Sequence, residues 1–94
     1  MGERQAVIYL SGPITGVPNY WKAFEKAEEN LRNLGYIVLS PAKLPQGMDN
    51  TQYMQIDMAM IHAADAVYFL PGWENSRGAT LERAYCEYIG KAVM

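Results

Sequence analysis

The stretch Pro71-Gly72-Trp73-Glu74-Asn75-Ser76-Arg77-Gly78-Ala79-Thr80-Leu81-Glu82 decides the fold, because it joins an apolar strand to a helix through a polar, glycine-bearing loop. The strand is Ala66-Val67-Tyr68-Phe69-Leu70, and the glutamate falls in the first turn of the predicted helix. In open parallel α/β sheets, ligands bind beyond the carboxyl ends of the strands. The junction is therefore a candidate site, and the backbone at the start of the helix is well placed to hold an anion.

A second apolar strand is also followed directly by a polar, glycine-bearing loop. Val7-Ile8-Tyr9-Leu10 is a short apolar strand, and Ser11-Gly12-Pro13-Ile14-Thr15-Gly16 follows it directly. Glycine and proline interrupt most α/β connections, so either loop alone is weak evidence for a site. If the two strands are neighbours, the two loops lie side by side, and the pair is better evidence than either member.

The rest of the chain alternates between strands and helices, which predicts a parallel sheet covered by helices with right-handed crossovers. We expect one small domain over residues 1–94, with a three-layer α/β/α fold of the flavodoxin or Rossmann type and four to five parallel strands. Strand one lies at the centre, so the topological switch point falls between strands one and three, where both glycine-bearing loops emerge. The predicted strands are 7–10, 36–39, 66–70 and 92–94, and the predicted helices are 20–34, 51–64 and 79–90.

Composition excludes several classes of function. The net charge is −2, the pI is about 5.2 and the basic residues are scattered, which argues against binding a nucleic acid polymer. No apolar run approaches the about 20 residues of a membrane span, and the N-terminus lacks the apolar core of a signal peptide. The single cysteine, Cys86, cannot form an intrachain disulfide. These features predict a cytoplasmic protein with no membrane partner.

The first helix has a regular apolar pattern, with Asn19 as the predicted N-terminal cap and Gly35 as the stop. Its apolar residues follow a spacing of three and four, which predicts a single buried stripe. The members of the stripe are Trp21, Phe24, Ala27, Leu31 and Leu34.

The second helix places apolar groups on more than one face, whereas a surface helix of a monomer shows one stripe. Methionine is enriched at protein interfaces. We therefore expect a homodimer or higher homo-oligomer through the Met-rich helix 51–64, with burial under the preceding long loop as the alternative. The residues concerned are Met54, Ile56, Met58, Met60 and Ile61.

Glu82 is the first candidate for a catalytic group, because it lies at the edge of the predicted apolar stripe of helix three. A carboxylate there is half-desolvated, and a helix N-terminus favours its ionised form. Such a group suits nucleophilic attack on an electron-poor carbon. The alternative is a first-turn glutamate that only complements the helix dipole. The predicted stripe consists of Leu81, Ala84, Tyr85, Tyr88 and Ile89.

Tyr9 and Asp57 have positions that suit a role beside Glu82. Tyr9 lies near the carboxyl end of strand one, where its hydroxyl can orient a carboxylate from the neighbouring loop; the alternative is a core tyrosine. Asp57 lies between two apolar residues in the middle of helix two. A buried unpaired charge is costly, so Asp57 has a partner or a ligand unless its face is solvated.

The loops supply the predicted substrate-binding residues. Ser76 and Gly78 offer a hydroxyl and exposed backbone N–H groups that suit a phosphate or sugar hydroxyls, with an ordinary turn and cap as the alternative. Trp73 either stacks on a nucleobase or simply packs in the fold. The predicted set is Ser11, Gly12, Pro13, Trp73, Asn75, Ser76 and Gly78.

Metal and cofactor motifs are missing from the sequence. The one histidine, His62, has no partners for a zinc site in the sequence pattern. The loop after strand one has neither a Walker lysine nor a full G-x-G-x-x-G, so neither ATP nor a dinucleotide is indicated. We expect no metal and no organic cofactor.

Motifs spread over nearly the whole chain fit one known pattern. They are Ile8-Tyr9-Leu10-Ser11-Gly12-Pro13, Asp57 followed by Ile61-His62-Ala63-Ala64-Asp65-Ala66-Val67, Ser76-x-Gly78-x-x-x-Glu82, and Gly90-Lys91-Ala92-Val93. This set resembles the nucleoside 2-deoxyribosyltransferase superfamily, in particular its short phage-type members. The strand-one pattern Y-[LF]-[AS]-G-P is moderately specific for this superfamily. The combination of this pattern with the other motifs is more specific than the pattern alone.

The resemblance implies a role for each matching residue. Glu82 matches the glutamate that attacks the anomeric carbon of a deoxynucleoside, in the two-step logic of retaining glycosyl transfer. Tyr9 matches a tyrosine that positions this nucleophile. Asp57 matches an acid that contacts the base and helps to protonate it as it leaves. Asp65 matches a position at a helix-to-strand turn, for which we expect a structural role.

The sequence also departs from the transferase pattern. Ser76 replaces the usual aspartate and is similar to the serine that holds the phosphate in 2′-deoxynucleoside 5′-phosphate N-hydrolases, and Ala79 replaces the usual Thr or Val. The sequence ends where the family continues with a segment that completes a neighbouring subunit's pocket, which favours hydrolysis. The stretch 71–82 is also similar to the P-G-G-x-G-T-x-x-E loop of cytokinin-activating phosphoribohydrolases, but lacks its second glycine and its threonine.

The predicted function is cleavage or base exchange at the N-glycosidic bond of a (deoxy)nucleoside or its 5′-monophosphate, through a glycosyl-Glu82 intermediate. The alternative is a non-catalytic nucleotide-binding or sensing module on the same fold. Either way, the expected ligand is a small nucleoside or nucleotide.

Overall fold

A parallel sheet of four strands forms the middle of the molecule. The computed structural model describes residues 4–94, and its strands are β1 (Val7–Ser11), β2 (Ile37–Leu39), β3 (Ala66–Phe69) and β4 (Ala92–Val93). They lie side by side in the order β2-β1-β3-β4. β1 is therefore central, and the chain reverses its direction of travel across the sheet between β1 and β3. The predicted fold class and the predicted switch point are both confirmed.

Three α-helices cover the two faces of this sheet: α1 (Tyr20–Asn33), α2 (Asn50–Ala63) and α3 (Arg77–Ile89). Short 3-10 turns, Pro41–Lys43 and Trp73–Asn75, precede α2 and α3. None of the helices in residues 4–94 is long and apolar enough to cross a membrane.

The side chains of β1 alternate between two separate cores, because successive residues of a strand point to opposite faces. Ile8 and Leu10 pack with residues of α1, including Phe24. Tyr9 points the other way and packs with residues of α2 and α3, including Ile61 and Cys86. α1 thus covers one face and α2 with α3 the other. Near the carboxyl end of β1, the side chains of Tyr9 and Ser11 point to the face shared by α2 and α3.

α1 begins at the predicted residue and ends just before Gly35, which turns in a left-handed conformation (φ 95°) as expected of the predicted stop. Asn19 is the N-cap residue, but it adopts a left-handed conformation (φ 57°) and its side chain forms no cap hydrogen bond. Trp21 is 44% exposed and Leu34 is 73% exposed. The predicted stripe is therefore too wide: α1 rests on the sheet through the buried Phe24 and Leu31, and its flanks face solvent.

α2 begins with a capping box that the sequence analysis did not identify. Asp49 accepts a hydrogen bond from the amide of Gln52, whose side chain accepts one from the amide of Asp49. Met58 and Met60 pack against the core of their own chain. Much of the apolar character of this helix is thus used within the monomer, and assembly through helix 51–64 stays a prediction.

α3 begins at Arg77, two residues before the predicted start. The hydroxyl of Ser76 caps it by accepting a hydrogen bond from the amide of Ala79 at 3.2 Å. Glu82 consequently lies in the second turn and not in the first. Gly90 ends the helix in a left-handed conformation (φ 73°).

The predicted apolar stripe of α3 is wrong. Leu81 is 52% exposed and Tyr88 is 88% exposed, and Ala84 and Ile89 are exposed as well. The fully buried residues of the helix are instead Ala79, Glu82 and Cys86. Glu82 therefore occupies the middle of the buried face and not its edge.

Asp65 fastens the start of β1 to the turn before β3. Its Oδ2 accepts a hydrogen bond from the amide of Val7 at 2.7 Å, and its two carboxylate oxygens accept from Arg4 at 2.7 and 3.0 Å. The amide of Asp65 in turn donates to the carbonyl of Val7 at 2.7 Å. This side chain holds two strands in register far from the switch point.

Candidate active site

The loops after β1 and β3 touch at the switch point. The amide of Leu70 donates to the carbonyl of Ser11 at 2.8 Å. A Cβ atom on Gly12 would lie 2.9 Å from the Cβ of Leu70, which is closer than real side chains approach. Only glycine permits this contact between the two loops. One step further along, Gly72 turns in a left-handed conformation (φ 88°) beside the ring of Pro13.

A large open cavity of about 1220 Å³ lies above this junction. The two loops, the first turns of α3 and the inner face of α2 form its walls. All but two of the predicted site residues line it. Those that line the cavity are Tyr9, Gly12, Pro13, Asp57, Asn75, Ser76, Gly78 and Glu82.

Glu82 lies at the bottom of the cavity, with only 4% of its surface exposed. Its Oε1 accepts two hydrogen bonds, from the hydroxyl of Ser11 at 2.7 Å and from the hydroxyl of Tyr9 at 3.1 Å. Both donors are neutral and both are buried. Among the described residues, no lysine, arginine or histidine forms an ion pair with Glu82.

The pKa of Glu82 is raised to about 7, mainly by burial and also by the nearby charge of Asp57, while the hydrogen bonds from Ser11 and Tyr9 oppose the rise. Burial likewise raises the pKa of Asp57 to about 6. The Oδ1 atom of Asp57 is buried and has no hydrogen-bond partner in residues 4–94. The two carboxyl groups influence each other, and the pKa of each lies above its ordinary range.

Tyr9 stays protonated beside these carboxylates. Burial raises the pKa of its hydroxyl far above the ordinary value, and the charges of Glu82 and Asp57 raise it further. The hydroxyl is therefore a permanent donor to Glu82 and cannot serve as a base.

The start of α3 presents unpaired donors to the cavity. Thr80 donates its amide and its hydroxyl to the carbonyl of Ser76, each at 2.9 Å, and the hydroxyl of Ser76 accepts from Ala79. The amides of Arg77 and Gly78 have no acceptor among the described residues, as expected for the first turn of a helix. The hydroxyl hydrogen of Ser76 and these two amides are thus available to an anionic group.

Two predicted site residues lie outside the cavity lining. Trp73 packs on Phe69 with ring centroids 5.3 Å apart, and the guanidinium of Arg83 lies 5.3 Å from the centre of the Trp73 ring. Its indole is used in packing and is not placed to stack on a ligand in the cavity. Ser11 is 1% exposed and directs its hydroxyl to Glu82, away from the predicted sugar-phosphate position.

Sequence reasoning missed several lining residues. Tyr53 precedes Asp57 by one helical turn and shares its face, and that spacing was visible in the sequence. The Tyr53 hydroxyl donates to the carbonyl of Pro45 at 2.6 Å, which ties the long loop to α2. Arg77 is the one positively charged residue among those that line the cavity. No group of three or more potential metal-ligating side chains occurs in residues 4–94.

The fold of the chain is similar to that of solved 2-deoxyribosyltransferases. The chain is 30% identical to the 2-deoxyribosyltransferase of Bacillus psychrosaccharolyticus over 95% of its own length and 70% of that chain, with a TM-score of 0.74. It is 20% identical to a 2-desoxiribosyltransferase of Leishmania mexicana over 95% of its own length and 62% of that chain, also with a TM-score of 0.74, which shows the fold alone. The resemblance predicted from the sequence is confirmed.

The chain belongs to the family described as a domain of unknown function, DUF4406, whose model matches residues 6–94. No curated protein matches the sequence.

Proposed function

We propose that this protein cleaves or exchanges the N-glycosidic bond of a (deoxy)nucleoside or its 5′-monophosphate, with Glu82 as the nucleophile. The observation that carries the proposal is a carboxylate at the bottom of a cavity, 4% exposed, with two hydroxyl donors and no paired cation among the described residues. A carboxylate that only stabilises a fold is normally paired with a cation or exposed to water. The 2-deoxyribosyltransferases, which share the fold, support the choice of substrate class.

The geometry of Glu82 suggests which oxygen attacks. Ser11 and Tyr9 both donate to Oε1, so Oε2 is the oxygen left to react. In the proposed first step, Oε2 forms a bond to the anomeric carbon as the bond from that carbon to the base nitrogen breaks. The electron pair of the broken bond goes to the base. Water or a second base then attacks the same carbon and releases Glu82, as in retaining glycosyl transfer.

Asp57 is proposed to protonate the departing base. Its pKa is raised by burial, so it retains its proton closer to neutral pH than an exposed aspartate does. Asp57 lines the cavity from α2, and its Oδ1 is buried without a hydrogen-bond partner among the described residues. A buried polar atom without a partner in the fold is suited to a hydrogen bond with a ligand.

The start of α3 favours a 5′-monophosphate over a nucleoside. A phosphate there would receive the hydroxyl of Ser76 and the amides of Arg77 and Gly78, and the positive end of the helix dipole would add to the attraction. Arg77 brings a full positive charge to the same place, in a cavity whose other charged residues are acidic.

The test is incubation of the purified protein with nucleosides and their 5′-monophosphates, with and without an acceptor base, followed by chromatography of the products. Free base from a monophosphate supports hydrolysis, and a swapped base supports transfer. Glu82→Ala is the control and should abolish both while the protein stays folded. Absence of product from every substrate, with the wild type folded, would favour the non-catalytic nucleotide-binding module.

The phosphate preference has its own test. Arg77→Gln should raise KM for the monophosphate about tenfold or more and leave KM for the nucleoside nearly unchanged. Lys26→Gln is the matched control, since Lys26 is an exposed cation on α1 that does not line the cavity. Equal effects of Arg77→Gln on both substrates would remove the phosphate assignment.

A further inference from the structure

Two hydroxyl groups hold the same oxygen of Glu82, and the shorter hydrogen bond comes from the smaller residue. The hydroxyl of Ser11 lies 2.7 Å from Oε1, whereas the hydroxyl of Tyr9 lies 3.1 Å away. Ser11 is 1% exposed and is absent from the lining of the cavity. It is therefore out of reach of a sugar or phosphate, and its hydroxyl is directed to the carboxylate alone.

The sheet fixes the position of this hydroxyl. Ser11 is two residues beyond Tyr9, so the two side chains leave β1 on the same face. The backbone of Ser11 pairs with Phe69 in the register of β1 and β3, and its carbonyl accepts the amide of Leu70 at 2.8 Å. Only the rotation about the Cα–Cβ bond remains free, and the hydrogen bond to Glu82 sets it.

Placement of both donors on one oxygen has a chemical consequence. Oε1 is tied to the strand, and Oε2 has no hydrogen bond from a described hydroxyl, amide or cation. The titratable groups that act on this carboxylate are Tyr9 on β1 and Asp57 on α2, and the charge of Asp57 opposes the effect of Ser11. Hydrogen bonds to a carboxylate also stabilise its ionised form, which is the nucleophilic one. A buried carboxylate without such donors would take up a proton and lose reactivity.

We propose that Ser11 is a positioning residue that holds Oε1 of Glu82, directs Oε2 towards the substrate and favours the ionised form of the carboxylate. This inference rests on the proposed function, because it assigns Ser11 a task in the reaction of Glu82. It differs from the expectation from sequence, which placed Ser11 in the sugar-phosphate pocket.

The kinetic test compares Ser11→Ala with Ser11→Cys across a pH series. Ser11→Ala removes the closer donor and should lower kcat with little change in KM, because no substrate contact is lost. The pKa of Glu82 should rise, so the acidic limb of the rate profile moves to higher pH by about one unit. The loss is then about tenfold at pH 6 and shrinks as the pH rises. Ser11→Cys keeps a weak donor of similar shape and should lie between wild type and Ser11→Ala.

A second measurement needs no substrate. The side-chain carboxyl carbon of Glu82 can be titrated by NMR in ¹³C-labelled protein, with the signal assigned from Glu82→Gln. Its midpoint should be higher in Ser11→Ala than in wild type. Ser40→Ala is the matched control, since Ser40 is also buried but does not line the cavity or contact Glu82, and it should leave the midpoint unchanged.

The outcomes separate the two proposals. An unchanged midpoint in both Ser11 variants, or an acidic limb that does not move, would overturn the role of Ser11. A raised midpoint together with no turnover of any nucleoside in wild type would leave the electrostatic part of the inference standing and remove the proposed function. An equal loss of activity at all pH values, with KM raised, would show that Ser11 acts on the substrate and not on Glu82.

Discussion

Two carboxylates lie near opposite ends of β1, and their surroundings differ in each respect that sets the charge of a carboxyl group. Asp65, beside the start of the strand, is partly exposed and is bound by Arg4 and by the amide of Val7. Glu82, beside the end, is buried and is bound only by neutral hydroxyls. The hydrogen bonds from Arg4 and Val7 lower the pKa of Asp65 to about 2, whereas burial raises the pKa of Glu82 to about 7.

In the proposed function, this difference distinguishes a structural carboxylate from a reactive one. The negative charge of Asp65 is already satisfied by a cation and a backbone donor, so it has little to offer a ligand. Glu82 is buried and receives hydrogen bonds only from two neutral hydroxyls, so its negative charge destabilises the fold and would be more reactive towards an electron-poor carbon.

The largest expected effect is on turnover. Glu82→Gln keeps the shape of the side chain but removes the attacking oxygen anion, so kcat should fall at least about 1000-fold. Asp65→Asn, the same kind of change at the other end of β1, should leave kcat within about twofold of wild type. Turnover by Glu82→Gln near the wild-type rate would show that Glu82 is not the nucleophile. A large loss of kcat in Asp65→Asn would show that the two carboxylates do not differ in their importance for turnover.

The second expected effect concerns the contribution of Asp57. Asp57→Asn should lower kcat about 100-fold or more on a natural base, which needs a proton to leave. The loss should be much smaller on a nucleoside with an activated leaving group. Because the charge of Asp57 also raises the pKa of Glu82, the acidic limb measured on the activated substrate should move to lower pH. Equal losses on both substrates would argue against an acid role.

The third expected effect is on folding stability, whose change with pH has opposite signs for the two carboxylates. The folded pKa of Glu82 lies above its unfolded value of about 4.3, so the folded state holds the proton more tightly, and stability falls as the pH rises towards and through 7. Glu82→Gln has no such loss. Its stability relative to wild type should therefore increase between pH 5 and pH 8 by roughly 2 kcal/mol, measured by urea unfolding. A pH-independent difference would contradict the raised pKa.

The smallest expected effect comes from Asp65. Its folded pKa lies below the unfolded value, so its contribution is present above about pH 4 and is lost as the pH falls through about 2. Asp65→Asn should lower Tm by a few degrees at pH 7, and the difference from wild type should shrink in acid, down to the lowest pH at which wild type is folded. Arg4→Gln should reproduce part of the loss. A Tm difference that grows in acid would reverse the assigned sign.

The sequence predicted the fold well because few arrangements satisfy its pattern. Alternating strands and helices with right-handed crossovers leave one sensible order for strands one to three, and that order places both loops at the switch point. Tyr9 lies near the carboxyl end of β1, and α3, which carries Glu82, follows the carboxyl end of the neighbouring strand, so the predicted strand order brings them together. Asp57 lies within α2, and its role beside them was implied by the family resemblance. The spacing within β1 also fixed the shared face of Tyr9 and Ser11, although the role of Ser11 was read differently.

The buried face of α3 could not be predicted from hydropathy. Hydropathy assumes that buried positions hold apolar groups, and it therefore placed Leu81 and Tyr88 inside. In the structure, the hydroxyls of Tyr9 and Ser11 make the buried position acceptable to Glu82, and the two apolar side chains face outward. These two hydrogen bonds join residues that are 73 and 71 positions apart in the sequence, so the local hydropathy pattern cannot reveal them.

The contact between Gly12 and Leu70 makes position 12 a spacer. The two loops lie so close together that only a residue without a side chain fits at position 12. A methyl group on Gly12 would come within 2.9 Å of Leu70. Any variant with a larger residue at position 12 must hold the loops further apart or shift β3. We therefore expect a larger residue at position 12 to change the spacing of the two loops that border the cavity.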